Sequence, residues 1–204
     1  MIDAAILPLQ RRVLILPGRW LLARGIHADQ ITLVGFALGL MAVPALAFGA
    51  YGLALALLAL NRLADGLDGA VARLSGPTDR GAFLDIALDF VFYALFPLGF
   101  ALADPMINAL PAAVLIAAFV GTGSSFLAFA TIAAKRRKRA AAFSTKGIYY
   151  LGGLTEGFET IAIFALMCVF PGVFPIFAYG FAAACALTTV LRWRQAWLEF
   201  STEQ

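Results

Sequence analysis

Charge is what this sequence has least of. Asp, Glu, Lys and Arg make up 13% of its 204 residues, while 62% are hydrophobic, against roughly 25% and 45–50% in ordinary soluble domains. That shortage excludes a soluble globular enzyme. It equally excludes a disordered chain, which needs high charge and little apolar content. Cysteine is nearly absent: Cys168 and Cys185 both sit in apolar runs and cannot build a disulfide scaffold. The chain shows no internal repeat, soluble domain or low-complexity linker, and about one domain is expected from its length. Period-two alternation is missing as well, which argues against a β-barrel.

Long apolar runs are what remain. A bilayer core about 30 Å thick needs roughly 20 residues of helix, which satisfies its own backbone in lipid. Six runs qualify, at about 31–51, 53–73, 82–103, 107–134, 147–170 and 173–192. The expected fold is an all-α integral membrane protein of six transmembrane helices. Turn chemistry separates the runs at Gly49 to Gly52, Gly76-Pro77, Asp104-Pro105 and Pro171-Gly172. Connections around 49–52, 104–111 and 170–175 carry no Lys or Arg, whereas Arg73, Arg80, Lys135 to Arg139, Lys146, Arg192 and Arg194 fall at the other ends. The positive-inside rule then places both termini in the cytoplasm, with a bacterial inner membrane as the expected location. The pI near 9.1 reflects loops that meet anionic headgroups, and no nucleic-acid partner is expected.

Residues 1–26 mix Leu9, Leu16, Trp20 and other apolar side chains with Arg11, Arg12, Arg19 and Arg24. The apolar pieces are too short and interrupted for a cleavable signal peptide. They read as an interfacial amphipathic segment on the cytoplasmic face, divided into short helices by Pro8, Pro17 and Gly18. The membrane domain is expected at 27–204.

A charge inside a span costs about 2.5–3.5 kcal/mol on insertion scales, so such residues are functional suspects. Span two holds Arg62, Asp65, Asp68 and Arg73, and span three holds Asp85 and Asp89. Each acid pair lies at three- or four-residue spacing and so shares a helix face. The short link from Leu74 to Arg80 makes the two spans antiparallel and gathers the four acids near the cytoplasmic surface. Carboxylates meeting in low dielectric repel, and a pair of divalent cations relieves that. All-oxygen ligands select a hard ion, Mg²⁺ or Mn²⁺, and paired ions suit phosphoryl displacement. Asp65, Gly69, Ala72 and Arg73 form a stripe with little side chain at its centre, where another group can approach the backbone. Arg73, at its water side, suits a phosphate or nucleotide. The plain alternative is that Arg62, Arg73 and Arg80 neutralise the acids as structural ion pairs.

These residues carry a resemblance. Asp65-Gly-Leu-Asp68-Gly69-Ala-Val-Ala72-Arg73, a seven-residue gap, then Gly81-Ala-Phe-Leu-Asp85-Ile-Ala-Leu-Asp89 is similar to the signature of the CDP-alcohol phosphotransferases (CDP-alcohol phosphatidyltransferases). All eight defining positions are filled. The resemblance implies transfer of a phosphatidyl group from CDP-diacylglycerol to a small polar alcohol, with release of CMP. It implies that Asp65, Asp68, Asp85 and Asp89 hold two divalent metals on the CDP pyrophosphate. Gly69, Ala72, Arg73 and Gly81 would line the nucleotide site, and Asp89 would be the general base. A threonine near the cytidine is usual at the start of the first span. Thr32 fits it, although the asparagine often found just before is missing from His27-Ala28-Asp29. Family members are commonly homodimers, and the same is expected here.

The acceptor is not named by the sequence. Members with a phosphorylated acceptor place basic residues around spans four to six, where this chain has Lys135, Lys146, Arg192 and Arg194. Each is equally at home snorkelling to headgroups. Glycerol phosphate users often show G-K-x-x-T in span five, but here Gly152-Gly153-Leu154-Thr155-Glu156 stands, with Glu159 one turn on. Glu156 and Glu159 are expected on one helix face, meeting an amine or a polyol hydroxyl, or pairing with Arg62 or Lys146. Lys135, Lys146, Glu156 and Arg192 are the acceptor candidates. Ser124 and Ser125 are assigned to helix packing, the cysteines to apolar burial, and Phe90, Phe92, Phe96 and Phe100 to lipid-facing bulk.

Three other functions compete. A cation- or proton-coupled transporter also uses intramembrane carboxylates, but gives no reason for the spacing of Gly69, Ala72, Arg73 and Gly81. A family member moving a phospho-alcohol from a soluble CDP-alcohol onto a lipid fits the same signature. An inactive scaffolding subunit is disfavoured by four intact acids.

Overall fold

The computed structural model describes residues 2–137 and 155–201, with side chains for 13–136 and 155–201. Every regular element among them is helical: α1 (Ile2–Ala23), α2 (Ala28–Ala47), α3 (Tyr51–Ser75), α4 (Asp79–Ala103), α5 (Pro105–Arg137), α6 (Gly157–Val169) and α7 (Phe174–Phe200), with a 3₁₀ turn at Pro171–Val173. Four of these, α2, α4, α5 and the final helix with its leading turn, are long and apolar enough to cross a membrane. The chain is an all-α integral membrane protein. At 25 residues α3 is as long as α4, but it carries the charged signature. Helix α6 has 13 residues, and the first part of the expected fifth span lies outside the described residues. Helix α7 runs on to Phe200 rather than stopping near 192.

Sharp links make neighbours antiparallel. Gly49 and Gly76 adopt left-handed φ values of 72° and 95°, where a side chain would be strained. Asp104 alone joins α4 to α5, and its carboxylate accepts from the Ile107 N–H at 3.2 Å. Tyr51 stacks on Phe100 at 5.8 Å and Phe100 on Phe174 at 4.5 Å, so the Gly49 turn, the Asp104 link and the start of α7 share one end of the bundle. At the other end Arg80 pairs with Asp29 and Arg136 donates to the Phe200 carbonyl. The charge segregation seen in the sequence thus becomes two ends of one bundle.

The core between these ends corrects one expectation. Phe92, Phe96 and Phe100 are at most 1% exposed and pack with Phe164 and Phe174, the Phe96–Phe164 rings stacking at 4.3 Å. They are core, not lipid-facing bulk. Their four-residue spacing puts them on one side of α4, but apolar composition cannot tell a stripe facing helices from one facing lipid tails. Phe90 packs against Phe126 of α5. Glycines let α2 approach closely: a Cβ on Gly35 would lie 2.7 Å from the Ala64 Cβ, and one on Gly99 would lie 2.8 Å from the Leu46 Cβ.

A second correction concerns the N-terminal segment. Pro8, Pro17 and Gly18 do not divide it, since Ile2–Ala23 is one helix. An interior proline costs about 3 kcal/mol, which packing on α3 offsets. Gly18 lies so near that its Cβ would stand 3.1 Å from the Ala70 Cβ. Leu21, Leu22 and Ile26 close over Ile31, Ala64 and Val71. Helix α1 is therefore docked on the signature-bearing end of α3.

Candidate functional site

The acids of α3 and α4 meet across the space between those two helices, both of which pack on α2. Gly76 reverses the chain, and the Thr78 hydroxyl accepts from the Gly81 N–H at 3.0 Å to start α4. Asp85 then faces the last turns of α3. One carboxylate oxygen each from Asp65, Asp68 and Asp85 lies within 4.8 Å of the others. Asp68 is buried, Asp65 intermediate and Asp85 exposed. Three converging carboxylates repel unless a cation joins them, and their oxygens suit a hard divalent ion. The donor set fits the expected metal.

Asp89 is held differently. Its Oδ1 accepts from Arg62 Nη2 at 2.9 Å, and its Oδ2 from the Tyr93 hydroxyl at 3.4 Å. Arg62 also comes within 3.8 Å of Asp65. Among the three arginines considered as plain counter-ions, Arg62 does pair with the signature acids. Arg80 instead pairs with Asp29 at 2.6 Å. Arg73 folds back over Gly69, its Nη1 3.1 Å from where a Cβ there would stand.

The acids separate two spaces. A cavity of about 240 Å³ is bordered by Asp68 and Asp85 together with Thr32, Gly69, Ala72 and Gly81. These last four are residues expected at the nucleotide. On the other side a pocket of about 20 Å³ is bounded by Asp65, Asp68, Asp85, Asp89, Arg62 and Asn61. Thr32 belongs to both, and its hydroxyl donates to Asp68 Oδ2 at 2.6 Å. A Cβ on Gly81 would come within 3.1 Å of Asp29 Oδ1 and Thr78 Oγ1, a tight contact at the cavity rim.

The acceptor candidates have separate surroundings. Lys135 is exposed near the end of α5, and Lys146 lies outside the described residues. Glu156 precedes α6 and caps it. Its side chain accepts from the backbone N–H three residues on, and its own N–H donates to Glu159 Oε2 at 3.2 Å. The expected shared helix face is thus a reciprocal cap. Arg192 does not snorkel: it is 8% exposed and donates to the Thr122 carbonyl at 2.8 Å and the Ser125 hydroxyl at 3.0 Å. Sequence reasoning passed over Asn61 and Tyr93. Both signals were legible, Asn61 as a polar residue inside a span and Tyr93 as one turn beyond Asp89.

Residues 25–193 match the family model for CDP-alcohol phosphatidyltransferase. The inner membrane protein YnjF of Escherichia coli (strain K12) is 56% identical over 168 residues, covering 82% of each chain. In fold the chain is similar to Mycobacterium tuberculosis phosphatidylinositol phosphate synthase, PgsA1, with CDP-DAG bound: TM-score 0.67, 21% identity, 91% of this chain and 94% of that one. The same enzyme in complex with manganese and citrate gives a TM-score of 0.67 at 22% identity, over 90% and 88%. The family match runs from α2 into α7 and contains every signature residue from Asp65 to Asp89. The chain belongs to the CDP-alcohol phosphatidyltransferase family.

Proposed function

We propose that the protein transfers a phosphatidyl group from CDP-diacylglycerol to a small polar alcohol, releasing CMP, at the cytoplasmic face of a bacterial inner membrane. One observation carries this reading: two of the three converging acids, Asp68 and Asp85, form a wall of a cavity of about 240 Å³ that Thr32, Gly69, Ala72 and Gly81 also border. The CDP-DAG bound by PgsA1 and the inner-membrane designation of YnjF support the donor and the location. In this reading α2 to α7 make six crossings, α1 within residues 1–26 lies at the interface, and the arginine-rich end faces the cytoplasm.

Asp65, Asp68, Asp85 and Asp89 would hold two divalent ions, Mg²⁺ or Mn²⁺, which when bound neutralise the pyrophosphate and stabilise the departing CMP. Thr32 fixes the orientation of Asp68 through its 2.6 Å hydrogen bond. Gly69 and Ala72 let the nucleotide approach the α3 backbone, and Arg73 above Gly69 meets its phosphate. Asp89, held by Arg62 and Tyr93, takes the proton of the acceptor hydroxyl as that oxygen attacks the phosphatidyl phosphorus. The bond from that phosphorus to the CMP oxygen breaks. Lys135, Lys146, Glu156 and Arg192 remain the candidates for reading the acceptor, Glu156 and Arg192 having structural contacts as well.

The test is CMP release by purified protein with CDP-diacylglycerol, Mg²⁺ or Mn²⁺, and glycerol 3-phosphate, inositol 1-phosphate, inositol, serine, choline or ethanolamine in turn. Release that depends on metal and on one acceptor is expected. Release from a soluble CDP-alcohol in the presence of diacylglycerol, and not from CDP-diacylglycerol, would reverse donor and acceptor. No release in any combination, with no CDP-lipid binding, would return the acids to a transport role.

A further inference from the structure

Arg62 stands outside the signature, yet its whole guanidinium is engaged. Nε donates to Asn61 Oδ1 at 2.8 Å, Nη2 to Asp89 Oδ1 at 2.9 Å, and Nη1 lies 3.8 Å from Asp65 Oδ1. Asn61 is itself buried and donates to the Gly35 carbonyl of α2 at 2.9 Å. The guanidinium carbon stands 5.5 Å from the Phe92 ring centroid, a favourable place for a cation. A side chain tied at this many points does not drift to the interface. Arg62 also borders the same small pocket as all four acids. A divalent ion held by those four acids would meet a positive charge already in place, and the two would share Asp65 and Asp89 as partners.

We propose that Arg62 is a positioning residue of the transfer site, and that it is a built-in cation which competes with the divalent ions for Asp65 and Asp89. The inference rests on the reading above and deepens it. Two effects of opposite sign follow from removing the guanidinium. Asp89 loses the shorter of the two hydrogen bonds that aim it, so turnover falls. The ion loses a repulsive neighbour and a rival for the same oxygens, so it binds more tightly. An arginine that merely supported the fold would, on removal, loosen the acids and weaken both properties.

Mn²⁺ binding to the full-length protein in detergent separates these cases, read from the loss of the free-ion paramagnetic resonance signal with no nucleotide or acceptor present. Arg62→Gln is expected to bind Mn²⁺ about tenfold more tightly than wild type, while metal-saturated CMP release falls at least about tenfold. Arg62→Lys keeps the charge but not the planar fork. It is expected to hold Mn²⁺ within about twofold of wild type and still release CMP more slowly. Unchanged or weaker Mn²⁺ binding in Arg62→Gln overturns the proposal. If Arg62→Gln does not fold, Arg62→Lys decides: slowed release at unchanged affinity supports it, and parallel loss of both overturns it. Absence of Mn²⁺ binding by the wild-type protein defeats the metal reading itself, and is distinguishable because it appears before any variant is compared.

Discussion

Asp68 shows what single residues contribute to this site. It is 7% exposed, one of its oxygens accepts from Thr32 at 2.6 Å, and its neighbours include two more carboxylates. Outer partners that orient a metal ligand commonly matter by 10- to 100-fold. Thr32→Val is therefore expected to raise the Mn²⁺ concentration needed for half-maximal CMP release by roughly tenfold or more; no change would mean that the hydroxyl serves the fold alone. Asp89→Asn is expected to cut CMP release by about 10²- to 10⁴-fold while CDP-lipid binding persists, and wild-type release would refute its role as base. The acids were legible in the sequence because carboxylates inside spans are rare and their spacing is helical. Their partners were less so. The Arg62–Asp89 contact joins residues on different helices, and it depends on how each helix is rotated about its axis. Composition and period do not encode that rotation.

At the scale of the helix, close approach is set by small residues. A side chain at Gly99 would meet Leu46 Cβ at 2.8 Å and the Val43 carbonyl at 3.0 Å, with backbone on one side that cannot step aside. Gly99→Val is expected to destabilise the bundle by about 1–3 kcal/mol, seen as a lower thermal midpoint in detergent. CMP release per folded molecule should persist, since Gly99 lies at the end of α4 away from the acids. Helix lengths from α2 to α5 followed from apolar runs and turn residues within a few positions. The N-terminal helix did not, because Pro8 and Pro17 carry a local preference that docking on α3 overrides. The phenylalanine stripe of α4 failed for a different reason: protein core and lipid look alike to a hydropathy scale. Glu156 was expected on a helix face, meeting the acceptor or pairing with Arg62 or Lys146, and instead caps the helix it precedes.

For the whole molecule the governing quantity is the placement of charge at one end of the bundle. Ser201 and the Arg80–Asp29 pair lie at the arginine-rich end, and Phe48, 90% exposed, lies at the other. The native cysteines are 5% and 1% exposed and should stay silent to a membrane-impermeant maleimide. Ser201→Cys is expected to label only in inverted vesicles and Phe48→Cys only in right-side-out ones. The opposite pattern would put the acids outside the cell, beyond reach of a cytoplasmic nucleotide. Membrane class was readable from composition, and charge segregation from the order of basic residues along the chain. The two spaces divided by the acids were not, because a cavity is a property of packed helices rather than of any one of them.

The measurement that bears most directly on the reading is the position of Mn²⁺, located by its anomalous scattering, in crystals of this protein grown with CDP-diacylglycerol. An ion among Asp65, Asp68 and Asp85, touching the pyrophosphate with the cytidine in the cavity beside Thr32 and Gly69, is the expected result. A nucleotide bound elsewhere, or acids that take no ion while the lipid is bound, would contradict it.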